Sequence, residues 1–264
     1  MKKSDLINGN SQKKSWSCEK AFDKWRYPRF FAEDINEDIA VVSGDDARHI
    51  RDVLRMKKGE IVILADAEGY DCLSEIESFV GKESVNLKVL DRRKNEAEPN
   101  VKIRLYQCLP KFDKLDFIVQ KATELGVFEI VPVISERCVS RPDSDRRISR
   151  MQKIACEATK QCGGVRVPMI FPFMNYKNIF KEIKQDFLGI IFYENGGEKL
   201  DNIIGFPREH INIIIGSEGG FSENEVLLAK ENGYIPATLG KRILRCETAP
   251  ITAISILLNL TGNI

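Results

Sequence analysis

Two glycine-bearing stretches hold the residue types best suited to cradle a small ligand. The first reads Ile215-Gly216-Ser217-Glu218-Gly219-Gly220-Phe221-Ser222. It follows an apolar, strand-like run and precedes a helical one. Glycines there let backbone N–H groups approach a ligand closely, and Ser222 with Glu225 three residues on forms a capping box. The second runs from Leu239-Gly240-Lys241-Arg242 through Ile243-Leu244-Arg245-Cys246-Glu247 to Thr248-Ala249-Pro250. It too leaves a short strand and enters a helix, with Thr248 placed as N-cap and Pro250 in the first turn. In open α/β sheets, ligands sit at the carboxyl ends of strands. The first pattern is G-x-E-G-G rather than G-x-G-x-x-G and has no Walker lysine. A tight strand–helix turn that binds nothing needs the same glycines, and spacing alone does not choose between the two.

Metal chemistry is poorly served. Seven cysteines show no close metal spacing, and His49 and His210 are the sole histidines. Free thiols packed as core filler in a reducing cytoplasm are the expectation. His49 reads as a half-buried structural histidine.

The elements that must position these loops follow from patterning. The chain has 264 residues, of which 43% are apolar and 30% charged, so it has material for one large or two modest domains. No apolar run reaches the length of about 18 residues that a membrane-spanning helix needs. The net charge of +1 excludes a uniformly basic nucleic-acid binder but allows a basic face. Residues 1–28 hold 7 basic and 3 acidic residues, lack an apolar signal core, and read as a loose extension. Residues 29–92 read as short strands around one helix, forming a small barrel. That helix opens at Ser43 with Asp46 three residues on, and periodicity turns Ile50, Val53 and Leu54 inward. Residues 93–100 read as a linker. From residue 101 to 264 strands and helices alternate, predicting an α/β domain with a mostly parallel sheet. Helices are expected over Phe112–Leu125, Asp145–Cys162, Tyr176–Ile183, Ser222–Asn232 and Thr248–Leu260. Leu188–Tyr193 and Ile211–Ile215 read as strands buried on both faces. Residues 248–264 carry no charge, which predicts a central core position or a subunit interface for the last helix.

These stretches resemble the cofactor loops of the RsmE family of SPOUT methyltransferases. The resemblance runs from Arg29 to the C-terminus. It includes Pro28-Arg29-Phe30-Phe31, the Arg48-His49 … Val53-Leu54-Arg55 helix, Lys121-Ala122-Thr123-Glu124-Leu125-Gly126-Val127, Ser135-Glu136-Arg137, and Glu157-Ala158 with Gln161. It implies a PUA-like RNA-binding β-barrel followed by a SPOUT α/β domain with a trefoil knot, which general folding rules would never predict. It also implies a cytoplasmic homodimer that uses S-adenosyl-L-methionine (SAM) to methylate N3 of a uridine in 16S rRNA of the small ribosomal subunit. The cofactor residues implied are Gly216, Glu218, Gly219, Gly220, Leu239, Gly240, Ile243, Leu244, Thr248 and Ala249. No metal or membrane is implied.

Methyl transfer from a sulfonium needs alignment and stabilisation of the uracil anion, not a Lewis acid. Arg245 is the candidate for that electrostatic role, with Glu247 to orient it or accept a proton. A helix-start charge pair without a catalytic role remains the alternative for both. The RNA-binding candidates are Arg29, Arg48, His49, Arg51, Arg55, Lys121, Arg137 and Arg166. Lys114 and Lys121 share a helical stripe, as do Arg146, Arg150 and Lys153, which suits phosphates or simply a solvated face. The chain departs from the family pattern at Ser217, where Pro is more common, and at Gly164, where Arg is. Two rival readings are a SPOUT enzyme acting on a ribose 2′-hydroxyl and an inactive RNA-binding module.

Overall fold

The computed structural model describes residues 27–264 except 33, 37, 67, 112, 113, 140–143, 182–185, 206 and 207. Most of the expected extension, residues 1–26, therefore lies outside the described residues. The chain divides into two compact units. One comprises the described residues through Leu64 with Cys72–Arg92, the other Ala65–Asp71 with Arg93–Ile264.

The first unit is built on a six-stranded sheet. Its strands are β1 (Arg29–Phe31), β2 (Asp34–Ile35), β3 (Ile39–Ser43), β4 (Ile61–Ala65), β5 (Tyr70–Val80) and β6 (Ser84–Lys94). Their order is β1-β4-β5-β6-β3-β2. Alternation in β6 puts Val85, Leu87 and Val89 inward, where they meet Val42, Val62, Leu64 and Ile76 in one core. β6 continues through Lys94, so the expected linker begins in strand.

The helix of this unit differs from expectation. α1 (Gly44–Arg48) passes into a π turn over His49–Val53, and its Ser43 N-cap makes no side-chain cap hydrogen bond. Ile50 is fully buried, but Val53 and Leu54 are 69% and 42% exposed. The wider π turn rotates side chains less per residue than a 3.6-residue helix, so residues placed on one stripe by helical counting part company.

The second unit is an α/β layer structure. Its sheet joins β7 (Lys102–Cys108), β8 (Glu129–Ile134), β9 (Met169–Ile170), β10 (Met174–Asn175), β11 (Leu188–Phe192), β12 (Glu198–Lys199), β13 (His210–Ile215) and β14 (Tyr234–Thr238). The order is β10-β8-β7-β13-β11-β14-β12, with β9 beside β8, and neighbouring strands of this sheet pair in parallel. Ile211, Ile213, Ile214 and Ile215 of β13 are buried, as a strand covered on both faces requires. Burying each such side chain contributes about 1.5–3 kcal/mol.

The helices are α2 (Lys114–Glu124), α3 (Ser144–Cys162), α4 (Leu200–Ile203), α5 (Glu223–Glu231) and α6 (Thr248–Leu260), with a 3₁₀ turn over Tyr176–Lys181. α2 buries Leu115, Ile118, Val119 and Ala122 as its periodicity predicts. α4 and the two-residue strands were not expected, because elements so short carry no period. α5 has the predicted capping box: Ser222 Oγ accepts from Glu225 N–H, and Glu225 accepts from Ser222 N–H. α6 buries Ala253, Ile254, Leu257 and Leu258, while Ile251 and Ile256 stay half-buried. Thr248 is not its N-cap but its first residue. Glu247 takes that place, and the Arg245 carbonyl accepts from Thr248 and Ala249 N–H, both at 2.9 Å.

Candidate functional site

The carboxyl ends of β11, β13 and β14 open onto one cleft of about 530 Å³. Parallel strands point the same ends of their backbones at this edge, so the segments leaving them converge there. The structure brings together Gly216, Glu218, Gly219 and Gly220 with Leu239, Gly240, Ile243, Leu244, Arg245 and Ala249 on its lining. Thr248 and Glu247 do not line it. Phe192, Tyr193 and Glu194 do, and sequence reasoning missed them. The strand they end was recognised, and extending the strand-end rule to it would have found them. Lys114, expected on an RNA-facing stripe, also lines the cleft.

The first loop is held by its neighbours. Gly219 O accepts from Arg137 Nη1 at 3.0 Å, and a side chain at Gly219 would press on Arg137, with Cβ atoms 3.0 Å apart. Gly220 has φ +63°, and a Cβ there would overlap the Glu194 carboxylate. At the loop's far end Ser222 Oγ donates to Glu136 Oε2 at 2.7 Å, while Glu136 N–H donates to Glu225 Oε1 at 2.8 Å. The Ser135-Glu136-Arg137 turn after β8 therefore clamps the glycine loop at Gly219 and at its Ser222 end. This places Arg137, expected at RNA, against the loop.

Charges in the cleft are ordered around Lys114. Its Nζ lies 2.9 Å from Glu218 Oε1 and 3.2 Å from Glu247 Oε2. Burial works to raise the Glu218 carboxyl, but hydrogen bonds from Lys114 and the Glu218 and Lys111 backbone N–H outweigh it and hold it below its usual range. Glu247 is likewise opposed by burial and held low by Cys246, its own N–H and Lys114. Glu247 thus sits between Lys114 and Arg245, the two cations its carboxylate faces. Burial first, then the Glu247 and Glu218 carboxylates, push the Cys246 thiol up to about 12, so it stays protonated. Arg245 lies at the mouth, its side chain 83% exposed and its Nη1 4.0 Å from Glu247 Oε1.

Apart from Lys114, none of the expected RNA-binding residues is on the cleft lining, though Arg137 backs its first loop. In the first unit Arg29 is 8% exposed. Arg48 pairs with Asp45 and Glu83, and Arg51 with Asp52. Arg55 is exposed, with φ +53°. His49 packs edge-on to Phe30 at 5.9 Å, which suits a structural histidine. In the second unit Lys121 pairs with Glu124, and Arg166 lies over the Phe128 ring at 5.0 Å. Among the described residues no His/Cys/Asp/Glu group could hold a metal ion, and no helix is long and apolar enough to cross a membrane.

The cleft is a strand-end site walled by two glycine loops in an α/β unit. Residues 97–258 match the RNA methyltransferase domain family, and residues 42–90 match the RNA methyltransferase PUA domain family. The fold and site thus define an RNA methyltransferase. The chain is 30% identical to ribosomal RNA small subunit methyltransferase E of Bacillus subtilis, over 81% of this chain and 87% of that one. It superposes on the Neisseria gonorrhoeae ribosomal RNA small subunit methyltransferase E bound to S-adenosyl methionine with a TM-score of 0.82. That match has 33% identity and covers 89% of this chain and 98% of that chain. The Legionella pneumophila protein Lpg2936, in complex with the bound cofactor SAM, gives a TM-score of 0.79 at 29% identity, over 89% and 98% of the two chains. The chain belongs to the ribosomal RNA small subunit methyltransferase E family.

Proposed function

We propose that the cleft binds SAM and that the chain methylates N3 of a uridine in 16S rRNA of the small ribosomal subunit. The observation that carries this reading is the convergence of Gly216–Gly220 and Leu239–Arg245 on one cleft with an exposed arginine at its mouth. The residues fit the ligand. The volume suits a small molecule, Gly219 and Gly220 bring backbone to the cleft surface, and the carboxylates of Glu194 and Glu218 suit cationic groups. Gly216, Glu218, Gly219, Gly220, Leu239, Gly240, Ile243, Leu244 and Ala249 would hold it. Thr248 would act indirectly, through the helix start. When bound, SAM supplies a methyl group activated on a sulfonium.

The chain's own work is alignment and charge. The clamped first loop fixes one partner of an in-line attack, which is catalysis by orientation. Arg245 is permanently charged, so it acts by stabilising the uracil anion as the N3 proton passes to Glu247 or to solvent, before the anion takes the methyl group. Family resemblance supports the rest of the reading. The first unit is a PUA-like barrel that contacts RNA, the second is a knotted SPOUT domain, and the enzyme is a cytoplasmic homodimer. The half-buried apolar residues Ile251 and Ile256 of α6 are offered as part of the dimer interface. Sedimentation at micromolar concentration is expected to give a dimer; a species of 30.0 kDa throughout would sink that element.

The direct test is nucleoside analysis of 16S rRNA after incubation with the pure protein and methyl-labelled SAM. Label in 3-methyluridine is expected. Label in a 2′-O-methylated nucleoside, or no label, would replace the reading with one of its two rivals.

A further inference from the structure

Lys114 opens α2 and reaches both loops of the cleft. Besides Glu218 and Glu247, its Nζ has Cys246 Sγ at 3.8 Å. Lys111 N–H also donates to both Glu218 oxygens, at 3.1 and 3.2 Å. The Cys246 thiol donates to the same Glu247 oxygen that faces the lysine, at 3.2 Å. One carboxylate from each loop is thus tied to a single ammonium. Glu247 Oε1, the other oxygen, lies 4.0 Å from Arg245 Nη1, beyond hydrogen-bond range. The Arg245 backbone is pinned by its carbonyl, so its side chain is what remains adjustable.

These contacts set up a competition. Glu247 has two cations in reach, and Lys114 holds it. An arginine–carboxylate fork is a strong pair, and Glu247 without Lys114 would take Arg245 as its counter-ion. We propose that Lys114 is a positioning residue: by engaging Glu247 it keeps the long 4.0 Å ion pair between that carboxylate and Arg245 from closing into a hydrogen-bonded fork, so the guanidinium stays available to the RNA base, while its bond to Glu218 sets the spacing of the two loops. The proposal rests on the reading of Arg245 as the residue that acts on the base.

The test is a double-mutant cycle on the full-length protein. Lys114→Met, Glu247→Gln, the double variant and Arg245→Ala are compared in single-turnover methylation at saturating SAM and RNA. SAM affinity is measured separately by calorimetry without RNA. Neighbours sharing one charge network couple strongly, so Lys114→Met is expected to slow turnover on the order of tenfold. In the Glu247→Gln background the same change is expected to cost less than about twofold, because no carboxylate remains to capture Arg245. Lys114→Arg, which keeps the charge, is expected to retain most of the turnover, and it covers the case in which the methionine variant fails to fold. SAM affinity is expected to fall only a few-fold, through Glu218, and not to recover on adding Glu247→Gln. An equal loss in both backgrounds overturns the proposal. So does abolition of SAM binding by Lys114→Met in a folded protein, which would make Lys114 a ligand contact. Wild-type turnover in Arg245→Ala would sink the reading of Arg245 and the proposal with it. An inactive Arg245→Ala beside equal losses in the two backgrounds would sink the proposal alone.

Discussion

The two loops of the cleft are built in opposite ways. In the loop after β13, Glu218 is held by Lys111 and Lys114, Gly219 by Arg137, and Ser222 by Glu136 and Glu225. In the loop after β14, Gly240 adopts φ +112° with nothing within 4 Å of where a Cβ would stand. Lys241, Arg242, Ile243 and Arg245 are all exposed there, Ile243 by 82%. A small ligand is gripped best by a wall that is ordered before it arrives, since ordering then costs nothing on binding. A macromolecular substrate brings its own surface, and a cationic lip with freedom to adjust can meet it. On the proposed reading, the first wall is the preformed grip on SAM, while the second shares SAM through Leu239, Gly240, Ile243, Leu244 and Ala249 and offers its exposed cations Lys241, Arg242 and Arg245 to RNA.

The sharpest way to break that division is at Gly220. A valine there would put a β-branched side chain at φ +63° and into the Glu194 carboxylate. The expected outcome is loss of SAM binding by at least about 100-fold, with the strain of about 1–3 kcal/mol showing as a lower melting temperature but not as unfolding. Calorimetric titration checks it, and unchanged affinity in a folded variant would remove the first wall from the site. Next in size is Arg245→Ala, expected to cut single-turnover methylation about 10²–10³-fold with SAM affinity little changed. Loss of RNA affinity alone, at near-normal turnover, would make Arg245 a docking residue of the second wall.

A smaller effect sharpens the assignment of the lip. Changing Lys241 and Arg242 together to alanine is expected to weaken RNA binding and lower the slope of log affinity against log salt by about 1–2, at unchanged SAM affinity. A salt slope equal to wild type would move RNA contact away from this loop. Smallest is the acid response of the first wall. Glu218 titrates below its usual value in the folded protein. Its carboxylate therefore favours folding at pH above about 4.5, and that contribution fades as the pH drops from there through the lower folded value. The stability gap between wild type and Glu218→Gln, followed by denaturant melts, is expected to shrink in that acid window. Because Glu218 is partly exposed, the gap at neutral pH is expected to be of order 1 kcal/mol or less.

Legibility in the sequence followed element length and the reach of each interaction. Long amphipathic segments such as α2 and α3 declare themselves through several periods: α2 buries Leu115, Ile118, Val119 and Ala122, and α3 buries Met151, Ala155 and Ala158. α1 did not, because the passage into a π turn after Arg48 changes the rotation per residue and exposes Val53 and Leu54. The glycine loops were legible because a strand, a glycine cluster and a capping residue are neighbours in the chain. Phe192, Tyr193 and Glu194 carry no such punctuation, and only their place at the end of a parallel strand brings them to the cleft. Arg137, part of the family-like Ser135-Glu136-Arg137 motif, was expected at RNA. Its partner is Gly219, which no local pattern links to it.

By itself, then, the sequence determined the order of the longer strands and helices, the buried isoleucine-rich centre of the sheet, the capping of α5, and the two loops best able to hold a ligand. Each of these depends on residues within a few positions of one another, where backbone geometry and side-chain type decide the outcome. Tertiary structure alone decided that both loops share one cleft and that Lys114 stands between Glu218 and Glu247. It also decided that Glu247 is held ionised while Arg245 is left exposed. Those outcomes are set by charges and backbones that meet only after β7, β11, β13 and β14 align in one sheet. A carboxylate's proton affinity and an arginine's freedom are properties of what surrounds them in space, and that surrounding comes from segments more than a hundred positions apart, Lys114 and Glu218 among them.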